Sequence, residues 1–343
     1  MPKTKLSRIT WIDYVRCVAI LLVILMHASE QSGLSDLASI SIMSSIGRLG
    51  VPLFLMISGA LMLPKVFQYS IPEYFGRYTQ RIIQFVLLLF GYALITNLTY
   101  ILFIEGAVID NPLHFLIHNN GITAKGVAGH IWYMRVITVL YILLPFLAKC
   151  IIPLKSRAVC VWIVLCILPF ILSNELNSIK LLSRVFPYIG YFILGYLICN
   201  RTNFKTKSKN VILISSLVLI ISILAALITD LQLNGADFFR FHWYTSSCSI
   251  LISSIALFIL LRELFGAYST CPPIIANLAK CSFGIYLSHY IILLGIRDFT
   301  LSMCGVSLNA SILMVIYTFL SLIFSWGVTA VLMRIPYMRK IVS

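Results

Sequence analysis

Three ionisable residues share one apolar stretch near the start of the chain: Asp13, Arg16 and His27, in WIDYVRCVAILLVILMHAS. On a helix, Arg16 and His27 lie about 20° apart around the axis and roughly 16 Å apart along it. Asp13 falls within about 60° of both, so all three share a face. His130, in GHIWYMRVITVLYILLPFL, and His289, in AKCSFGIYLSHYIILL, fall at the level of His27 on other stretches. Ser282, Tyr286 and His289 recur at i, i+4 and i+7, one polar stripe of a helix. Residues of these types transfer protons or hold metals. Three histidines at one level could ligate a metal, yet no pair has ligand spacing and no carboxylate accompanies them. No metal is expected. The bland reading of the first helix is an i,i+3 pair of Asp13 and Arg16 at the interface, with His27 snorkelling. His114, His118 and His242 read as residues of outer loops.

The elements that must position these groups are membrane spans. Of 343 residues, 60% are hydrophobic and 11% charged, and the mean hydropathy is +0.98. A soluble domain has about 45–50% apolar and about 25% charged residues. The composition excludes a soluble globular enzyme, a disordered chain and a nucleic-acid module. The fold class is all-α, a polytopic membrane protein. A crossing helix needs about 20 mostly apolar residues, which places ten spans at 10–29, 44–63, 82–104, 131–149, 158–173, 185–200, 210–229, 244–262, 274–294 and 309–333. They form a single membrane domain over 1–343, with no internal repeat and no room for a soluble domain.

The net charge of +15 comes from 26 Lys and Arg against 11 Asp and Glu. Alternate loops hold 17 of the 26 basic residues, so both termini are expected in the cytoplasm. Most of the charge is a topology signal beside anionic lipid. Arg16, Arg135 and Lys280 remain inside spans and need another reason. Nine cysteines without a C-x-x-C pair argue against a disulfide framework or a zinc ribbon. The basic start, Lys3, Lys5 and Arg8, resembles a signal peptide, but Asp13 and Arg16 within the apolar run make it an uncleaved first span. Asp13 reads as the only acid clearly inside a span, which weighs against an ion-coupled transporter.

Five fragments in order carry a resemblance: ITWIDYVRCVAILLVILMHAS, GVPLFLMISGALML, HIWYMRVITVLYILLPFL, PYIGYFILGYLI and SFGIYLSHY. With them the chain resembles the integral-membrane acyltransferase-3 family, from residue 9 to the C-terminus. Arg16 and His27 match the family's R-x10-H spacing. Members commonly carry two arginines three apart at the start of the third span, whereas Arg77 and Arg81 are four apart, with Tyr78 at the matching position. The chain is most like the short surface-polysaccharide O-acetyltransferases of the enterobacterial common antigen type.

The resemblance implies an O-acetyltransferase in a bacterial plasma (inner) membrane. It would move an acetyl group from cytoplasmic acetyl-CoA to a cell-surface glycan or a lipid-linked saccharide. Arg77, Arg81 and Arg16 would meet the donor's phosphates. His27, served by Asp13 and Arg16, would be a general base or a transient acyl carrier, with an ordinary pKa of about 6.5 that suits either role. His130, Trp132, Ser282, Tyr286 and His289 would orient the acceptor or hold the oxyanion. The competing classes are a transporter of a small solute or acyl group, and a scaffold without chemistry. A scaffold gives no reason for three ionisable groups on one face.

Overall fold

The computed structural model describes residues 9–106, 127–171, 180–200, 208–232, 248–304, 309–336 and 338–339. His114, His118 and His242 lie outside them, as do the ends of two expected spans at 172–173 and 244–247. All regular elements among the described residues are helical. In chain order they are α1 (Thr10–Gln31), α2 (Leu37–Gly47), α3 (Gly50–Phe67), α4 (Ile71–Thr99), α5 (Trp132–Ile151), α6 (Ser156–Ile171), α7 (Lys180–Asn200), α8 (Lys209–Gln232), α9 (Cys248–Phe265), α10 (Pro273–Cys304) and α11 (Ala310–Leu332). A π-turn, Tyr100–Glu105, extends α4, and a 3-10 turn, Val127–Ile131, leads into α5.

Among the described residues, eight helical stretches are long and apolar enough to cross a membrane. Two shorter apolar helices, Ser156–Cys166 and Phe186–Asn200, coincide with the expected fifth and sixth spans. The residues that face outward on α8 and α11, such as Leu213, Ile214, Ile221, Phe319 and Phe324, are large and apolar. Lipid is the solvent that such a surface requires.

α1 is the hub. It packs against α2, α3, α9, α10 and α11, and Val15, Ala19, Ile20 and Ile24 along it are wholly buried. The close approach of α2 and α3 depends on glycine. A Cβ on Gly50 would meet the Ala19 carbonyl oxygen at 2.6 Å, and one on Gly47 would meet Met26 backbone at 2.9 Å.

Three boundaries differ from expectation. The second span runs over Leu37–Phe67 with a break at Arg48 and Leu49, where the chain turns around α1. Asp36 starts it by accepting a bond from Ser39 N at 2.9 Å, which holds the Asp36 carboxyl below its usual range. α4 begins eleven residues before the expected 82, because Ser70 and Glu73 form a reciprocal cap with Pro72 in the first turn. Arg77 and Arg81 are therefore helical. α10 continues ten residues past 294 and carries Arg297 in that extension.

Candidate active site

His27, His130 and His289 come together from α1, the turn before α5, and α10. The ring centroids are 5.4 Å apart for His27 and His289, 5.6 Å for His130 and His289, and 6.3 Å for His27 and His130. Tyr290 closes the group, stacked on His130 at 4.5 Å and edge-on to His27 at 5.0 Å. Among the described residues, no group of three His, Cys, Asp or Glu side chains is arranged to hold a metal ion.

Each ring has a distinct environment. His27 Nδ1 lies 3.0 Å from Glu30 Oε2, one turn further along α1. Donation of the Nδ1 hydrogen to the carboxylate leaves the lone pair on Nε2. His289 is fully buried, and its Nδ1 contacts the backbone carbonyls of Tyr286 at 2.7 Å and Ile285 at 3.2 Å. Carbonyls only accept, so His289 Nδ1 is the donor. Its Nε2 is then an acceptor, and no described residue bonds to it. The Tyr286 hydroxyl donates to the His130 carbonyl at 2.8 Å and ties α10 to the turn before α5.

The remaining acceptor-side candidates lie at the margin. Trp132 packs on Tyr188 at 5.4 Å. Ser282 is buried on α10, seven residues and so roughly 10 Å inward of His289, outside the histidine cluster. A cavity of about 190 Å³ opens beside Glu30, lined by Ser29, Leu34, Ile40 and Ser44. Above the cluster, Arg297 donates to Gln31 Oε1 at 2.6 Å, and Gln31 reaches the Tyr290 hydroxyl at 3.5 Å.

A second group lies toward the other end of α1. Asp13 is buried and pairs with Arg16 at 3.9 Å. Arg81 donates to Gln84 at 3.1 Å, and its guanidinium covers Phe85 at 4.9 Å and Phe283 at 5.8 Å. Arg81 and Arg16 both act electrostatically on the Tyr141 hydroxyl, so two cations face the same part of the bundle, Arg81 over aromatic rings. Arg77 is not part of it. That side chain is exposed and lies over Tyr69 at 4.9 Å.

The family model described as an acyltransferase domain, Acyl_transf_3, matches residues 9–330. The chain belongs to the acyltransferase-3 family. No curated protein and no solved structure matches it. A membrane acyltransferase must bring an acyl donor and a nucleophile together. Here the bundle presents a carboxylate-backed imidazole next to a second imidazole, His289, whose remaining nitrogen, Nε2, is an acceptor.

Glu30 and Tyr290 were not among the residues singled out from the sequence. Glu30 had a signal, the i,i+3 spacing from His27, which an end of the first span at 29 conceals. Tyr290 follows His289 directly, off the polar stripe, so only the fold shows its contact. Nor is Asp13 the sole acid at membrane depth. Asp230 on α8 is wholly buried and accepts from Ser41 at 2.5 Å, and Glu263 on α9 is wholly buried and accepts from Ser208 N at 3.3 Å. Both sit in last helical turns, where hydropathy alone reads them as loop.

Proposed function

We propose that this membrane acyltransferase moves an acetyl group from cytoplasmic acetyl-CoA to a hydroxyl of a cell-surface polysaccharide or of its lipid-linked precursor. It would work in a bacterial plasma membrane with both termini cytoplasmic, as a short enzyme of the enterobacterial common antigen type. The observation that carries the chemistry is the 3.0 Å contact of Glu30 with His27, inside a cluster of three histidines.

In this reading His27 Nε2 is the base. It takes the acceptor's hydroxyl proton as that oxygen attacks the thioester carbonyl carbon. The tetrahedral intermediate collapses, the C–S bond breaks, and the imidazolium returns its proton to the departing CoA thiolate. Glu30 holds the ring and stabilises its charged form. His289 Nε2, an acceptor, can take a hydrogen bond from a second hydroxyl of the sugar and so orient the attacking one. The oxyanion falls to the His130 ring, and Trp132 and Tyr286 bound the sugar's side.

The donor's phosphates would meet Arg16 and Arg81, with Arg77 at the exposed margin. Asp13 sets the orientation of Arg16. The roughly 16 Å between Arg16 and His27 is a length that an extended pantetheine arm can span, past Ser282.

The test is release of CoA by purified protein given acetyl-CoA and a glycan acceptor, with mass spectrometry of surface glycans in cells with and without the protein. His27→Ala should abolish transfer while the protein stays inserted and abundant. Retention of a tenth of the activity, a loss under about 1.4 kcal/mol, would remove His27 as the base. Radiolabel on the wild-type protein after incubation with acetyl-labelled donor, trapped at neutral pH, released by hydroxylamine and absent from His27→Ala, would make it an acyl carrier instead.

A further inference from the structure

A cavity lies away from the histidines, where the inner end of α10 meets the chain leaving α11. It has a volume of about 320 Å³ and is lined by Asn277, Lys280, Cys281, Met333, Arg334 and Arg339. Lys280, Arg334 and Arg339 are all exposed, so three cations form the rim over a floor of sulfur and methyl groups.

Among the described residues, none of the three cations has an ion-pair partner. From α10 to residue 343 the sequence contains one acidic side chain, Asp298. It stands eighteen residues beyond Lys280 on α10, roughly 27 Å along the axis. The floor also offers an oriented donor. Asn277 Oδ1 accepts from Trp326 Nε1 at 2.8 Å, which fixes the amide and leaves its NH2 to donate elsewhere. A topology signal needs positive charge at a span end. It does not need a cavity, nor an amide held with its donors unspent.

We infer that this cavity binds a phosphate ester. Three cations and an amide donor match its oxygens, and the apolar floor suits what the phosphate is attached to. Two sources carry that chemistry at this face of the membrane: the headgroup of an anionic phospholipid, and the phosphorylated adenosine end of CoA. The site is separate from the Arg16 and Arg81 cradle, and the inference does not rest on the acyl-transfer reading.

The experiment measures binding to the purified protein in detergent. Native mass spectrometry follows titration with phosphatidylglycerol, with phosphatidylcholine as the zwitterionic control, and separately with CoA. Phosphatidylglycerol or CoA should bind more tightly than phosphatidylcholine. Lys280→Ala and Arg334→Ala should each weaken that ligand about fivefold, the worth of one basic side chain near an anionic surface. Weakening for phosphatidylglycerol alone assigns the site to lipid, and weakening for CoA assigns it to the donor. Affinities for both ligands unchanged in both variants would overturn the inference. Circular dichroism and gel filtration check the fold. Lys280 is exposed, so Lys280→Ala and Lys280→Glu carry the test if Arg334→Ala does not fold.

Discussion

Glu30 Oε2 stands 3.0 Å from His27 Nδ1, across one turn of the same helix. The pair needs no long-range folding to form, because residues three apart on a helix are neighbours. What the fold adds is company: His289 and His130 arrive from two other helical segments, and the buried guanidinium of Arg48 acts electrostatically on Glu30. A carboxylate so placed fixes the ring and its tautomer.

Loss of that carboxylate should therefore lower kcat with little change in the KM for acetyl-CoA. Glu30→Ala is expected to cost about a hundredfold, the low end for a positioned acid–base group. Glu30→Gln, which still offers an oxygen to Nδ1–H, should cost less. Steady-state kinetics of the two variants decide it. Wild-type kcat in both would remove Glu30 from the mechanism.

Arg81 and Arg77 should separate in the same assay. Arg81 is packed between Phe85 and Phe283 beside Arg16, whereas Arg77 is exposed over Tyr69. Arg81→Ala should raise the KM for acetyl-CoA about tenfold or more, a loss of about 1.4 kcal/mol per factor of ten, and Arg77→Ala much less. Arg81→Lys should rescue only part, since an ammonium cannot reproduce a planar, bidentate contact that also stacks on rings. Unchanged donor affinity in both alanine variants would leave these arginines as topology signals alone.

A stability prediction concerns the crossing of α3 and α7. A Cβ on Gly59 would collide with the Phe192 carbonyl, and one on Gly195 would collide with the Met56 carbonyl. Two glycines thus face each other's backbones, as small residues do where membrane helices cross closely. Gly59→Ala or Gly195→Ala should each destabilise by about 1–3 kcal/mol, the usual cost of overpacking. The loss should appear as a lower thermal midpoint in detergent. Gly76→Ala on α4, where a Cβ meets nothing within 4 Å, is the control and should be neutral.

The all-helical, apolar character and the histidine level were legible because both follow from helical period and hydropathy. Arg16 and His27 on one face, and Tyr286 with His289 on another, needed only 3.6 residues per turn. Convergence of those faces was not legible, since it depends on how α1 threads between α3 and α10. The break at Arg48 is set by Gly47 and Gly50 meeting α1 backbone, a contact between distant parts of the sequence. Glu30, Asp230 and Glu263 were missed for a single reason. Each sits in the last turn of a helix, where an averaged hydropathy falls and a charged residue reads as loop.

The last prediction is that donor and acceptor reach the histidines from opposite sides of the membrane. In the proposed orientation, with both termini cytoplasmic, Arg16 lies toward the cytoplasm and His27 roughly 16 Å further out on α1. His130 and His289 join His27 at that outer level. Arg81 and Arg16 lie at the inner one, beside Tyr141. CoA is multiply charged and does not cross unaided, while surface glycans are completed outside. A one-sided site would leave either the inner arginine cradle or the outer cavity beside Glu30 without a part in transfer. Sealed vesicles of known orientation, given acetyl-CoA on one face and an impermeant glycan acceptor on the other, should transfer only with the donor at the cytoplasmic face and the acceptor opposite. Transfer only when both are supplied to the cytoplasmic face would reject two-sided access and mean that the acceptor is modified before it is flipped across.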